Sequence, residues 1–172
     1  VSVIGAVVIA TALWDVFQTL WHPHGHGPVS KTVMRLIWRA SRRAGARGSR
    51  LSGPAAMVMV IGTWTSLALV GWALVYWPHL SEGFSYDPGL APGRRSDLLD
   101  ALYLSVVTIT TLGFGDIVPT TPWLRVLTPI EALLGFVLLT AAVSWVLQVS
   151  PVLTRRRALA LSIDTLRRTQ TA

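Results

Sequence analysis

Thr108-Ile109-Thr110-Thr111-Leu112-Gly113-Phe114-Gly115-Asp116 is the stretch on which the fold turns. It follows a short apolar segment, residues 98–109, and precedes a long one, residues 123–150. At about 1.5 Å per helical residue the first segment reaches only about 18 Å, too little for a hydrocarbon core of roughly 30 Å. The second is long enough to cross. Gly113 and Gly115 forbid continuation of the short helix, because glycine tolerates backbone conformations that other residues resist. Ser96 or Asp97 can cap its start.

Working outward, residues 1–21 and 55–77 are two further apolar runs of spanning length. Asp15 interrupts the first, and Tyr76 and Trp77 close the second as interfacial anchors. Pro54 sits where the second helix is expected to start, and Pro151 bounds the third run, followed by Arg155, Arg156 and Arg157. The composition agrees: of 172 residues, 52% are apolar and only 13% charged, far from the balance of a soluble domain. With no cysteine in the chain, disulfides, thiolate metal sites and a cysteine nucleophile are excluded. Val1 lies inside an apolar run with no basic stretch ahead of it, so the chain reads neither as a native start nor as a secretory signal.

The sequence pI of 11.3 could suggest nucleic-acid binding, but the placement of the basic residues makes them a topology signal. Residues 23–54 carry Lys31, Arg35, Arg39, Arg42, Arg43, Arg47 and Arg50 with no acid, and the segment after Pro151 has five arginines against Asp164. Residues 78–122 hold Arg94 and Arg95 against Glu82, Asp87, Asp97, Asp100 and Asp116. Positive residues favour the cytoplasmic side, so both basic stretches are expected inside and the 78–122 loop outside. Residues 31–50 form an amphipathic pattern, the arginines on one side and Val33, Met34, Ile37, Ala40 and Ala44 on the other. A helix lying on a membrane surface is expected, with anionic lipid as a plausible partner. A voltage-sensing reading lacks the other helices it would need. His22, His24 and His26 could hold Zn²⁺, but no fourth ligand accompanies them, and a flexible loop is the better reading.

The fold class expected is therefore an all-α membrane protein: three transmembrane helices, a re-entrant pore helix with a selectivity filter, and a cytoplasmic amphipathic helix. A ring of backbone carbonyls can replace the hydration shell of a potassium ion if consecutive peptides point to one axis. Alternating glycines permit such a backbone, and Thr111 adds a hydroxyl at the inner end. A glycine-rich turn is the competing reading, and the paired threonines, both glycines, Asp116 and the flanking helices together oppose it.

Asp100-Ala101-Leu102-Tyr103 through Asp116 resembles the pore of two-pore-domain potassium channels, and residues 54–150 resemble the two-helix pore module of potassium channels generally. Leu112 and Phe114 replace the commoner valine and tyrosine. The resemblance implies K⁺ bound by Thr111, Leu112, Gly113, Phe114 and Gly115. One filter per chain and no second repeat then call for a homotetramer. The expected division is a first transmembrane helix at 1–22, a basic linker at 23–53, a pore module at 54–152 and a basic cytoplasmic tail at 153–172. Within the module the outer helix takes 54–77, the pore helix 97–109, the filter 111–116 and the inner helix 123–150.

The same register places Gly135 at the inner-helix hinge, with a packing glycine as the alternative, and Trp123 and Arg125 at that helix's outer start. Phe136, Leu139, Val143 and Leu147 would line the cavity, whereas Thr140, Ser144 and Gln148 form another stripe rotated by about 100°. Val107 stands where some of the family carry a pore-helix glutamate. Tyr103 matches the aromatic residue that related channels bond to the filter aspartate, here Asp116. Glu131 could brace the filter through Ser105 or Thr110, and Asp15 could pair with an arginine of the amphipathic segment, since intramembrane carboxylates are costly to bury without a role. A nonselective cation channel of the same architecture, a potassium transporter subunit and a membrane-anchored sensor are the rival readings. No catalytic constellation is recognisable, and neither an organic cofactor nor a nucleic-acid partner is expected.

Overall fold

The computed structural model describes the backbone of residues 1–21, 27–43, 45–88 and 97–170, and side chains at 1–21, 27–39, 42, 56–88 and 98–147. Three apolar helical stretches are long enough to cross a membrane, Ser2–Trp21, Ala56–Gly83 and Pro122–Leu147. The chain is a mostly helical membrane protein.

Helix α1 (Ser2–Trp21) packs along α3 (Gly45–Tyr76). The two approach closely because a glycine on each faces the other: a Cβ on Gly5 would run into the Gly71 carbonyl, and one on Gly71 into Ile9. Small residues at such crossings let backbones meet where lipid supplies no hydrophobic drive between helices. The other side of α1 exposes Trp14, Phe17 and Trp21, which stack along the helix at 6.3 and 5.1 Å between ring centroids.

The start of helix α2 (Pro28–Arg43) meets α1 and α3. The Asp15 carboxylate, fully buried, accepts the Val29 amide at 2.9 Å and the Ser30 amide at 3.1 Å. The Ser30 hydroxyl, at 2.5 Å, and the Trp64 indole N–H, at 2.9 Å, also donate to it. Asp15 is thus an N-cap supplied by another helix, and among the described residues no arginine of the amphipathic segment pairs with it. The carboxylate gives partners to first-turn N–H groups that the helix itself leaves without any, whereas an arginine can reach water. Gly27 has to be glycine here, since a Cβ would overlap Asp15.

Two prolines expected at helix boundaries lie inside helices. Helix α3 runs unbroken through residue 54, and α6 (Pro122–Gln170) runs through residues 129 and 151. Proline's fixed φ is itself helical and costs one backbone bond and a local clash, so a helix held by neighbours or ending in water can pass through it. The outer helix therefore begins before residue 54, and the inner helix ends after residue 150. His22, His24, His26, Arg94, Arg95 and Ser96 lie outside the described residues. So do the side chains of Ala40, Arg43, Arg47, Arg50, Asp97, Gln148 and those beyond, with Ala44.

After α3 a 3₁₀ turn (Trp77–His79) and α4 (Leu80–Gly83) lead into β1 (Phe84–Tyr86). Helix α5 (Asp97–Ile109) follows, then β2 (Ile117–Pro119), paired antiparallel to β1 with Ser85 opposite Val118. Trp72, Tyr76, Leu80, Phe84, Ala101, Leu104, Ile117 and Leu124 form one buried cluster that joins all these elements to α6. A second cluster, with Val16, Val60, Trp64, Ile109, Leu138 and Trp145, binds α1 and α3 to α6 and the end of α5.

Candidate ion-conduction site

The segment after α5 leaves the helix through a left-handed residue. The Thr111 amide bonds the Thr108 carbonyl at 2.9 Å and the Leu112 amide bonds the Val107 carbonyl at 2.9 Å, with Thr111 at φ 59° between them. That pattern ends many helices, but the left-handed position is usually glycine. A β-branched residue there is an outlier with a cost of order 1–2 kcal/mol. Strain of this kind points to a functional constraint on the segment.

Thr111 begins an alternation. Gly113 stands at φ 53° and Gly115 at φ 81°, while Leu112 and Phe114 keep negative values. In a strand successive carbonyls point to opposite sides, whereas residues of alternating hand turn successive peptides to the same side. A run of this form is what a carbonyl-lined ion path requires. A Cβ on Gly113 or Gly115 would touch nothing within 4 Å, so glycine is set there by φ and not by crowding.

Beyond the run the chain is anchored. Tyr103 donates its phenol hydrogen to Asp116 Oδ2 at 2.6 Å, and the Ile117 amide donates to Oδ1 at 3.1 Å. The Asp116 carbonyl accepts the Asp87 amide at 2.8 Å, which extends the β1–β2 ladder to the end of the run. The hydrogen bond to Asp116 raises the Tyr103 phenol above its ordinary range, keeping the donor protonated.

Behind α5 lies Glu131 of α6, fully buried, with the Ser105 hydroxyl at 2.6 Å from Oε1 and the Tyr76 hydroxyl at 2.6 Å from Oε2. One carboxylate thus joins α3, α5 and α6. Tyr76, expected as an interfacial anchor, is instead completely buried and gives Glu131 its second donor. Thr110 does not reach Glu131; its hydroxyl bonds the Val106 carbonyl at 2.6 Å within its own helix turn. The Tyr76 role could have been suspected from the carboxylate itself, since two acceptor oxygens in apolar surroundings need more than one donor.

Gly135 presses against the end of α5: a Cβ there would collide with the Ile109 carbonyl. The helix is unbroken at this point. Phe136 and Leu139 share a cavity of about 360 Å³ with Thr110 and Thr111, next to Thr65 of α3. Val143 and Leu147 are exposed further along α6. Thr140 and Ser144 face another groove, bounded by Leu20 and Trp21 of α1.

A short helix ending in a strained, alternating backbone, held between two spanning helices, defines a pore domain. The chain belongs to the family described as "Ion channel", whose model matches residues 63–150, the two-helix potassium channel pore domain. It is 27% identical over 166 residues to the Uncharacterized membrane protein YdjJ of Bacillus subtilis, a match covering 92% of this chain and 47% of that one. Protein LctB of Geobacillus stearothermophilus is 34% identical over 108 residues, 59% of this chain and 75% of LctB. Two-pore potassium channel 5 of Arabidopsis thaliana is 43% identical over 54 residues, 29% of this chain and 13% of that channel. The chain spans about half the length of the Bacillus subtilis relative. No solved structure matches it.

Proposed function

We propose that four copies of this chain surround one pore that passes K⁺ passively and rejects Na⁺. The observation that carries this reading is the alternation of backbone hand at Thr111, Gly113 and Gly115. Carbonyls of Thr111, Leu112, Gly113 and Phe114 then bind dehydrated K⁺, and the Thr111 hydroxyl completes the innermost position. Leu112 and Phe114 are 60% and 67% exposed in a single chain. Neighbouring copies around a fourfold axis cover them, and one filter per chain calls for a closed ring of copies.

In this reading α5 is re-entrant and its loop opens outside the cell, while the basic stretches and the end of α6 lie in the cytoplasm of a cell membrane. Asp116 and Tyr103 support the filter from outside, Glu131 from behind, and Thr110 from the inner end of α5. Phe136, Leu139, Val143 and Leu147 line the inner cavity, supported by the space that Phe136 and Leu139 share with Thr111. Gly135 acts as a packing contact and not a hinge, because bending there would break its seat on Ile109. The arginines of α2 face anionic lipid, and K⁺ is the permeant ion. Native mass measurement of the purified protein, combined with K⁺ flux into vesicles, tests the arrangement: a tetramer with flux supports it, and a monomer or dimer overturns it.

A further inference from the structure

We propose that α2 is a lever that responds to anionic phospholipid headgroups, with its pivot at Asp15 and its output to the inner half of α6 through Trp64 and Trp145. This deepens the pore reading above and rests on it.

The pivot lies at membrane depth. Asp15 precedes the end of α1 at Trp21 by six residues, about 9 Å. Trp64 lies nine residues inside the apolar run that opens at residue 55, about 14 Å. Both meet at one carboxylate, so α2 begins well inside the apolar layer, where an orphaned backbone N–H costs several kcal/mol. Every donor of its first turn is accounted for. Pro28 has none, Val29 and Ser30 bond Asp15, and the Lys31 amide bonds the Gly27 carbonyl at 2.9 Å. The Gly27 amide reaches the Thr19 hydroxyl at 3.4 Å. The start of α2 is therefore fixed to α1 and α3.

Its other end leads through a single residue into α3, and the helix face between the two ends is exposed. Arg35, Arg39 and Arg42 are exposed, as are Leu36 and Trp38, and the Arg42 guanidinium sits 4.6 Å from the Trp38 ring. Residues 28–43 contain no acid. Cations interleaved with an exposed indole match the anionic headgroup layer of the membrane in which the three spans lie. The opposite face, Val33 and Met34, packs on the cluster that contains Trp64 and Trp145.

The output follows from the same cluster. The Trp64 ring, its N–H held by Asp15, lies 5.5 Å from the ring of Trp145, which is buried on α6 between Val143 and Leu147. A change in the angle of α2 about its cap moves Trp64 and, by packing, the part of α6 that lines the inner cavity.

The test uses the full chain in vesicles of phosphatidylcholine alone or with phosphatidylglycerol added. Because the chain has no cysteine, Leu36→Cys and Val143→Cys accept nitroxide labels selectively, and labelled chains are diluted with unlabelled ones. The 36-to-143 distance is expected to differ between the two vesicles, and K⁺ flux to differ by about fivefold or more, the usual scale of coupled sites. Arg35→Gln with Arg39→Gln and Arg42→Gln should bring both differences toward none. Trp64→Phe keeps a ring but loses the donor, and should uncouple flux from lipid while K⁺ selectivity stays unchanged. Asp15→Asn keeps an acceptor for the cap and should retain more of the lipid response than Asp15→Ala. An unchanged distance, equal flux in both vesicles, or a full lipid response in Trp64→Phe overturns the lever and leaves the pore standing. A lipid-dependent distance without K⁺ flux in any vesicle supports the lever and removes the pore.

Discussion

The Tyr103 hydroxyl donates to Asp116 Oδ2 at 2.6 Å, joining the middle of α5 to the residue just past Gly115. Tyr103→Phe keeps the ring and removes the donor, so K⁺ current should decay faster during sustained opening while selectivity holds. Because the bond raises the phenol's pKa, its contribution is complete below the ordinary phenol value of about 10 and is lost as pH rises through the raised one. Current in the parent protein should therefore persist through neutral pH and shorten in strong alkali. Equal decay in the Phe variant, at low and high potassium, would refute this role.

On the buried side, Glu131 joins α3 and α5 to α6. Tyr76→Phe or Ser105→Ala each leaves one carboxylate oxygen without that partner, a loss of about 1–3 kcal/mol per site. The two donors share one acceptor group, so their effects should not add. Thermal dissociation of the assembly in detergent, measured for both single variants and the double variant, checks this; strictly additive shifts would mean the three groups do not act together.

Two glycines separate crowding from composition. Gly135→Ala must displace the Ile109 carbonyl and with it the end of α5, whereas a methyl at Gly62 meets nothing within 4 Å. Flux should fall at least several-fold for the first. It should be unchanged for Gly62→Ala, whose helix gains roughly 1 kcal/mol of intrinsic preference. A functional Gly135→Ala protein with intact selectivity would show that α6 does not seat on α5 in the working assembly.

Thr111 carries both a strained backbone and a hydroxyl. Thr111→Gly removes the strain, so folding stability should hold, yet in the proposed path the innermost ion position would lose an oxygen, and K⁺ occupancy should weaken. Block by permeant-ion competition reads the occupancy. An unaltered block would place the hydroxyl away from the path.

Much of this architecture is legible in residue order because it depends on local rules. Apolar runs of spanning length mark α1, α3 and α6, and the shortness of residues 98–109 marks a helix that cannot cross. Gly113 and Gly115 reveal the need for left-handed backbone, but Thr111 does not, since its hand is set by how α5 ends and not by its side chain. The prolines at 54 and 151 misled for the opposite reason: each sits inside a continuous helix, where its fixed φ is itself helical. Asp15 and Glu131 announced themselves as carboxylates in apolar segments, whereas their donors, Trp64, Ser30 and Tyr76, come from residues 15 to 55 positions away. Such partners follow from helix packing, which no window of sequence contains. Gly27-Pro28 was the available hint at the start of a capped helix.

The central claim, a K⁺-selective path through residues 111–115, is tested most directly by reversal potential. Purified protein in planar bilayers, with K⁺ on one side and Na⁺ on the other, should reverse far toward the K⁺ equilibrium potential. A reversal near zero, with both cations carrying current equally, would contradict it.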